Sequence, residues 1–269
     1  MSRPTPREIQ NWWPRKWSEV VGNTSLVALW LNYIQNGLCN FLVTGPNRTG
    51  KTRITMLGIR SLLCPNRTKT LDPCGQCATC KLVWSEKRSH AGLYSAMVDS
   101  NTSFFAFDCE NLQQKDLDDF YENSQYETKG TIVYLDELEA LRRRGFEKRL
   151  LKIIDECEAC WIGSAITLKQ KKGAKKGEYV ERLSKEMKGR FAIKEGTSVP
   201  SREDLTRWIS DRCKEWEITI RNPEITIPLM VERSQQRVGY VLHMLALGAA
   251  KGRDLGPDDI EGFNLDTLD

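Results

Sequence analysis

The residues best suited to chemistry form one short run. In order, they are Gly45, Pro46, Asn47, Arg48, Thr49, Gly50, Lys51 and Thr52. This is the pattern G-x-x-x-x-G-K-T, in which the two glycines let backbone N–H groups close around the β- and γ-phosphates of a nucleotide. Lys51 adds a positive charge beside those phosphates, and the hydroxyl of Thr52 can bind Mg²⁺. The run therefore predicts a site for ATP and magnesium.

The segments on either side of this loop fit the same interpretation. Phe41, Leu42 and Val43 form an apolar run that predicts a buried strand, and the apolar spacing over residues 52–63 predicts a helix. A helix that starts at the loop directs its partial positive charge toward bound phosphate. A chance glycine turn would not combine this spacing with both flanks.

A second apolar strand, predicted over residues 131–135, ends in the acidic pair Asp136 and Glu137. This is a Walker B pattern, in which Asp136 would hold Mg²⁺ and Glu137 would polarise the water that attacks the γ-phosphate. A further predicted strand begins at Cys160 and has a polar end. A hydroxyl there can contact the γ-phosphate and the attacking water, and we favour Thr167, with Ser164 as the alternative.

Four of the nine cysteines have the spacing C-x9-C-x2-C-x2-C, and these are Cys64, Cys74, Cys77 and Cys80. Four thiolates placed in this way can bind Zn²⁺ tetrahedrally, and with no position left for water the site would be structural. It would stabilise an insertion that is too small to have its own core. Four free thiols in a loop are the alternative interpretation.

The composition is that of an ordinary globular protein. Hydrophobic residues make up 40% and charged residues 28% of the chain, and the net charge of +4 permits a DNA partner without requiring one. No apolar run approaches the length of a membrane span, and the N-terminus has no apolar signal segment, so we expect a cytoplasmic protein.

A lysine-rich loop follows the strand that begins at Cys160. It suits contact with DNA phosphates, although a solvated loop is an equally good interpretation. Its lysines are Lys169, Lys171, Lys172, Lys175 and Lys176.

The hydrophobic periodicity divides the chain into two predicted domains. Strands alternate with helices over residues 1–196, which predicts an α/β core with the zinc knuckle at about residues 64–80. Residues 197–269 contain only helical patterns, which predicts a small all-helical domain.

Two helices of the core carry further expectations. We expect one over residues 141–157 that opens with Arg142, Arg143 and Arg144, and another over residues 180–188. Basic residues at a helix N-terminus oppose the helix dipole, so an acidic partner such as DNA phosphate would favour them there. A solvated basic turn is the alternative interpretation.

Together these features resemble an AAA+ ATPase, with a parallel sheet flanked by helices and a helical lid. The resemblance to AAA+ proteins extends from Trp13 to about Phe263, and within that class the chain is most similar to the clamp-loader branch. Its N-terminal segment contains Trp13-Pro14 and Val20-Val21-Gly22-Asn23, which is similar to the opening of that branch. A four-cysteine module follows the helix predicted over residues 52–63, as in the bacterial clamp-loader motor subunit. Arg190 resembles the arginine finger of that branch.

The resemblance implies roles for three more residues. Val21 would contact the adenine ring, Arg237 would touch the phosphates within its own subunit, and Arg190 would reach the γ-phosphate of a neighbouring subunit. It also implies an oligomer with active sites between subunits, and DNA and a clamp-like or recombination protein as partners. The expected function is a clamp-loader-like ATPase that assembles on, or remodels, a DNA-bound complex.

Three other functions stay open from the sequence. The phosphate loop also resembles that of the short AAA+ regulators of Tn7-like transposition, which lack a collar domain, and we expect none here after the lid. A nucleotide-gated interaction protein with slow turnover, such as a defence-system sensor, would need the same loop but little hydrolysis. A protein remodeller would need no contact with DNA.

Overall fold

The computed structural model describes residues 3–37, 39–83, 93–99, 102–124, 131–166, 168–170, 179–181 and 183–263. Contacts separate the chain into two compact units. We call one the sheet unit, which comprises Ala28–Pro46 and Lys51–Thr197, and the other the helical unit, which comprises Met1–Val27, Asn47–Gly50 and Ser198–Asp269. Within the described residues, no helix has both the length and the apolar character needed to cross a membrane.

The described strands, in chain order, are β1 Phe41–Thr44, β2 Leu93–Asp99, β3 Thr102–Asp108, β4 Ile132–Asp136, β5 Cys160–Ala165, β6 Leu168–Gln170, β7 Tyr179–Glu181, β8 Ile193–Gly196, β9 Thr219–Ile220 and β10 Asp254–Leu255. Six of them form the main sheet in the order β2-β3-β4-β5-β1-β8. Five of these run parallel, and β2 lies antiparallel to β3 at one edge.

The described helices, in chain order, are α1 Pro6–Gln10, α2 Thr24–Asn36, α3 Lys51–Leu63, α4 Ala78–Val83, α5 Gln114–Ser124, α6 Ala140–Arg144, α7 Glu147–Glu156, α8 Lys185–Gly189, α9 Arg202–Trp216, α10 Pro223–Arg233, α11 Val238–Ala250 and α12 Pro257–Glu261. A parallel sheet needs long crossover connections between its strands, usually helices, because neighbouring strands start at the same edge. The predicted parallel sheet flanked by helices is confirmed.

The centre of the sheet explains where a site can form. Leu42, Val133 and Trp161 on β1, β4 and β5 are almost fully buried, as strands covered on both faces require. These three strands end at the same edge, so the loops after them meet there. In parallel α/β sheets, ligands bind outside this carboxyl edge. The phosphate loop follows β1, and the acidic pair is at the end of β4.

The helical unit has its own hydrophobic core, built mainly from α9, α10 and α11. Ile9 from α1 is fully buried in this core. The ring of Trp12 packs edge-on against Trp208 and Trp216, at centroid distances of 5.6 and 6.2 Å. The sequence prediction placed residues 1–196 together in the core domain, whereas the contacts place residues 1–27 and 47–50 with the C-terminal helices. The aromatic and aliphatic packing of the N-terminal segment accounts for this difference.

The predicted helix over residues 141–157 is instead two helices, α6 and α7. Gly145 separates them with a left-handed backbone, φ 79°, and its N–H caps the carbonyl of Arg142. Arg142, Arg143 and Arg144 therefore lie at the C-terminal end of a short helix, where the dipole favours positive charge. The dipole argument for an acidic partner at a helix start was wrong.

The structure differs from the sequence expectations in three other places. The predicted helix over residues 180–188 begins only at Lys185, because Ser184 accepts the N–H of Met187 and caps the helix there. The chain just before it belongs to strand β7, which pairs with β6. The sheet also contains the edge strand β2, which the sequence analysis did not predict. The lid region, predicted to be all-helical, also contains the short parallel pair β9 and β10.

Candidate functional site

The start of the phosphate loop is fixed within the sheet unit. Gly45 has φ +145°, and a Cβ atom at this position would lie 1.9 Å from Oγ1 of Thr197. A side chain would therefore be excluded by both backbone conformation and space. The Lys51 ammonium donates hydrogen bonds to the carbonyls of Gly45 and Pro46, at 3.0 and 2.7 Å. These bonds hold the lysine against its own loop.

The carboxylate of Asp136 is the centre of a polar cluster at the end of β4. Its Oδ1 atom accepts hydrogen bonds from Thr52 Oγ1 at 3.1 Å, Tyr134 Oη at 2.9 Å and the Glu137 N–H at 3.2 Å. The hydroxyl of Ser164 donates to the same oxygen. Burial raises the pKa of Tyr134 well above its usual value, and the Asp136 charge adds to this effect. Tyr134 is therefore a permanent donor to the cluster.

The oxygen atoms of Thr52 and Asp136 fit a magnesium site. Mg²⁺ is bound in proteins by oxygen ligands, usually one or two carboxylates together with water. Thr52 Oγ1 lies 3.1 Å from Oδ1 of Asp136, so the hydroxyl and the carboxylate can reach the same ion, directly or through its bound water. The structure therefore brings together the two residues that the sequence assigned to magnesium.

Glu137 follows Asp136 in a left-handed conformation, with φ 53°. This backbone is uncommon outside glycine and marks a position held by its surroundings. Burial raises the pKa of the Glu137 carboxyl, and the neighbouring Asp136 charge raises it further. A carboxylate with a raised pKa is a better proton acceptor, as a general base requires.

The buried Glu139 side chain ties the end of β4 to the end of β5. It is 3% exposed, and its carboxylate accepts the N–H of Ile166 at 3.0 Å. The N–H of Leu138 donates to the carbonyl of Ser164 at 3.0 Å. These two bonds fix the register of the two strand ends that carry Asp136 and Ser164.

The middle of the phosphate loop is held within the helical unit. The carbonyl of Arg48 accepts the N–H of Gly239 at 3.2 Å, and its guanidinium contacts Nε2 of His243 at 2.7 Å. Arg48 and Arg237 lie 5.4 and 5.6 Å from the centroid of the same ring, Tyr240. Two guanidinium groups on one ring create a local excess of positive charge, which favours an anion nearby.

Arg190 forms a bidentate ion pair with a carboxylate of its own chain. Its Nε and Nη2 atoms each lie 2.6 Å from an oxygen of Asp155 on α7. The hydrogen bonds lower the pKa of Asp155, so the pair remains ionised. The Arg190 side chain is 35% exposed. It lies just after α8, at the surface of the sheet unit.

The four cysteines of the predicted knuckle converge, with all Sγ atoms within 4.8 Å of one another. The Sγ atoms of Cys64 and Cys77 are 3.9 Å apart, and those of Cys74 and Cys80 are 4.0 Å apart. A tetrahedral zinc site with Zn–S bonds of about 2.3 Å places its sulfurs about 3.8 Å apart. The cluster therefore meets the geometry of a four-thiolate zinc site.

Backbone N–H groups point at the sulfurs of the cluster. The N–H of Cys74 donates to Cys64 Sγ at 3.3 Å, and the N–H of Cys77 donates to Cys74 Sγ at 3.4 Å. Such bonds from Gln76 and Cys77 lower the pKa of Cys74 to about 6, whereas burial raises that of Cys80 to about 12. Donors of this kind orient and stabilise metal-bound thiolates.

The remaining predicted residues are placed as follows. Val21 packs against the hydrophobic core of the helical unit. Thr167 lies outside the described residues, as do the loop lysines Lys171, Lys172, Lys175 and Lys176. Ser164, the alternative to Thr167, is the residue seen at Asp136.

Sequence reasoning missed Tyr134, Glu139 and His243. Tyr134 and Asp136 are two residues apart on one strand, so they share a face. This spacing was available as a signal for Tyr134. Nothing local in the sequence indicated Glu139 or His243, whose partners are distant in the chain.

The sheet and its loops define an AAA+ fold. RuvB structures from Thermotoga maritima share it: two mutant forms each give a TM-score of 0.56, with 14% and 16% identity, covering 93% of this chain and 71% of RuvB. The structure of the RuvB Holliday junction branch migration motor gives a TM-score of 0.54 and 16% identity, covering 92% of this chain and 70% of RuvB.

The sequence model of the DNA polymerase III, delta subunit family matches residues 23–187, which is more than half of the chain. The chain belongs to this family, which is a clamp-loader type of AAA+ protein. The predicted membership of the clamp-loader branch is therefore confirmed. No curated protein matches this sequence significantly.

Proposed function

We propose that this protein is an ATPase that uses ATP binding and hydrolysis to control its assembly on a DNA-bound complex. The observation that carries the proposal is the cluster in which Thr52 and three other donors surround Asp136, with Glu137 beside it. A purely structural role would not require a hydroxyl, an acidic pair and a lysine-bearing phosphate loop at one sheet edge. Clamp-loader membership favours DNA as the setting.

Each residue has a defined task in this proposal. On nucleotide binding, the Lys51 ammonium leaves the carbonyls of Gly45 and Pro46 and binds phosphate oxygens. Thr52 and Asp136 would hold Mg²⁺, which would supply positive charge to the phosphates. Glu137 orients a water and accepts its proton as the water oxygen bonds to the γ-phosphorus. The bond to the bridging oxygen then breaks, which gives ADP and phosphate.

By the family resemblance, Val21 is proposed to contact adenine, and Arg237 the phosphates. The two guanidinium groups on Tyr240, those of Arg48 and Arg237, support an anion-binding role for Arg237. We also propose that Thr167 provides a hydroxyl near the γ-phosphate, in addition to that of Ser164.

We propose that exposed arginine side chains contact the phosphates of DNA. Arg142, Arg143 and Arg144 are exposed, and Arg143 pairs with Glu110 at 2.5 Å. Exposed ion pairs are weak, so this pair can exchange for a DNA phosphate at little cost. Such contacts carry no sequence information, and they make affinity strongly salt-dependent.

The test of this function is assembly in response to ATP. We expect the purified chain, with a non-hydrolysable ATP analogue, Mg²⁺ and duplex or single-stranded DNA, to form an oligomer in analytical ultracentrifugation and electron microscopy. DNA affinity should fall steeply with added salt. The slope of the logarithm of affinity against the logarithm of salt concentration should be roughly proportional to the number of phosphates contacted. A chain that stays monomeric and binds no nucleotide would contradict the proposal. Nucleotide-driven assembly without DNA binding would favour a protein remodeller.

We further propose that the four cysteines bind one structural Zn²⁺. Metal analysis should then find about one zinc per chain, and Cys77→Ser should lose it. A loss of about 3 kcal/mol would lower Tm by roughly 6–12 °C in a chain of this size. Cys39→Ser, outside the cluster, is the matched control and should keep the metal. Retention of zinc and Tm by Cys77→Ser would exclude this site.

A further inference from the structure

We infer that Tyr134 is a positioning residue, which orients the magnesium-binding carboxylate of Asp136 through its phenol hydroxyl. The inference rests on the proposed function, because it concerns how the proposed magnesium ligand is held. Tyr134 lies in the strand that ends in the acidic pair, but the motif requires only an apolar position there, and Tyr134 does not touch the nucleotide in this proposal.

The hydrogen bonds to Asp136 are one-sided. All four that its carboxylate accepts from the described residues end on Oδ1. A carboxylate oxygen offers about two lone-pair directions, so Oδ1 is saturated by protein donors. The second oxygen, Oδ2, is thereby the one presented to the metal or to its bound water.

Tyr134 is suited to impose this orientation because its position is rigid. It is 3% exposed and lies on β4, a central strand, with Ile162 of β5 as its register partner. Its hydroxyl lies 2.9 Å from Asp136 Oδ1 and 3.2 Å from Ser164 Oγ. It therefore links the carboxylate to the neighbouring strand, whose hydroxyl contacts the same oxygen.

Two of the other donors lie outside the strands of the sheet. Thr52 is the second proposed magnesium ligand and lies at the start of α3, directly after the phosphate loop. The N–H of Glu137 belongs to a turn with a left-handed backbone. Tyr134 and Ser164 are the donors in the sheet itself, so they alone give the carboxylate an orientation that does not depend on the loops.

The test is the magnesium dependence of nucleotide binding in the Tyr134→Phe variant. Phenylalanine fills the same space and removes only the hydroxyl. Binding of a fluorescent ATP analogue should be titrated at a series of free Mg²⁺ concentrations and in EDTA. Loss of a residue that orients a metal ligand typically costs about 10- to 100-fold in metal affinity. We expect half-saturation by Mg²⁺ to rise about tenfold, with affinity in EDTA unchanged.

Ser164→Ala should shift the Mg²⁺ requirement in the same direction, because it removes the partner hydroxyl. Tyr33→Phe is the matched control: Tyr33 is also buried, at 4% exposure, but its hydroxyl bonds to Cys39 and Cys160. It should keep the wild-type Mg²⁺ response. A merely structural role would change Tm or affinity in EDTA without moving the Mg²⁺ requirement, and would overturn the inference.

The outcomes separate the inference from the function. If the wild type responds to Mg²⁺ and Tyr134→Phe responds equally, the inference fails and the ATPase proposal stands. If the wild type binds no nucleotide, both fail together. A shifted Mg²⁺ requirement in Tyr134→Phe and Ser164→Ala, but not in Tyr33→Phe, supports it.

Discussion

Replacing Glu137 with Gln is expected to reduce ATP hydrolysis about 10²- to 10⁴-fold, the usual contribution of a general base. The amide has the same shape as the carboxyl but cannot accept the proton of the attacking water. ATP affinity should change little, because Asp136 and Lys51 are intact. The assembled state should therefore accumulate, since hydrolysis is the step that releases it.

The measurement is phosphate release at saturating ATP, together with the fraction assembled. Glu110→Gln is the control, because it removes a nearby carboxylate that contributes to the raised pKa of Glu137 but is not next to the metal ligand. It should leave the rate nearly unchanged. Equal turnover in Glu137→Gln and the wild type would remove Glu137 from the mechanism, and loss of ATP binding would assign it a structural role.

The pH dependence provides a second readout of Glu137. Its pKa is raised by burial, so the carboxylate needed as a base forms at a higher pH than in an ordinary glutamate. Activity should therefore rise as the pH increases through the raised pKa of Glu137, which lies above that of an ordinary glutamate, and it should be lost as the pH falls below that pKa. In Glu137→Gln the residual rate should lose this pH dependence.

Those parts of the site that are local in sequence were predictable. The phosphate loop is one continuous run, and the acidic pair Asp136 and Glu137 is next to its strand. The convergence of the four cysteines was also predictable, because their spacing is typical of a metal site and the structure places their sulfurs together. In each case the residues that act together are close in the chain.

Contacts that depend on strand pairing could not be read in the same way. The contact of Ser164 with Asp136 exists because β4 and β5 are neighbours, with Leu135 opposite Gly163. The sequence fixes neither that order nor the register. The choice between Ser164 and Thr167 was therefore open, since the sequence predicted both near the end of the same strand.

The sequence predicted neither the break between α6 and α7 nor the packing of the N-terminal segment, and the reasons differ. Gly145 was a local signal for a helix end, but the apolar periodicity continues across it. Trp12, by contrast, packs against Trp208 and Trp216, about two hundred residues away in the chain. Only the tertiary fold can decide where such a side chain is buried.

Arg190→Ala is expected to lose about 10³-fold or more of the hydrolysis rate, as removal of an arginine finger does. ATP binding to the isolated subunit should be unaffected. The bidentate pair with Asp155 shows that this guanidinium already has a carboxylate partner in its own chain. To act on a neighbour, Arg190 must leave Asp155 for phosphate, and Asp155→Asn should ease this exchange and retain activity.

Mixing experiments decide whether Arg190 acts between subunits. Lys51→Ala lacks a working phosphate loop but keeps Arg190, whereas Arg190→Ala keeps the loop. Each should be inactive alone, and hydrolysis should return when the two are combined, because an intact loop then meets an intact arginine from another subunit. Arg207→Ala, which removes another surface arginine paired with a carboxylate, is the control and should stay active. If the two variants co-assemble but remain inactive, the arginine acts within its own subunit or has no catalytic role, since a finger supplied by a neighbour would restore those sites.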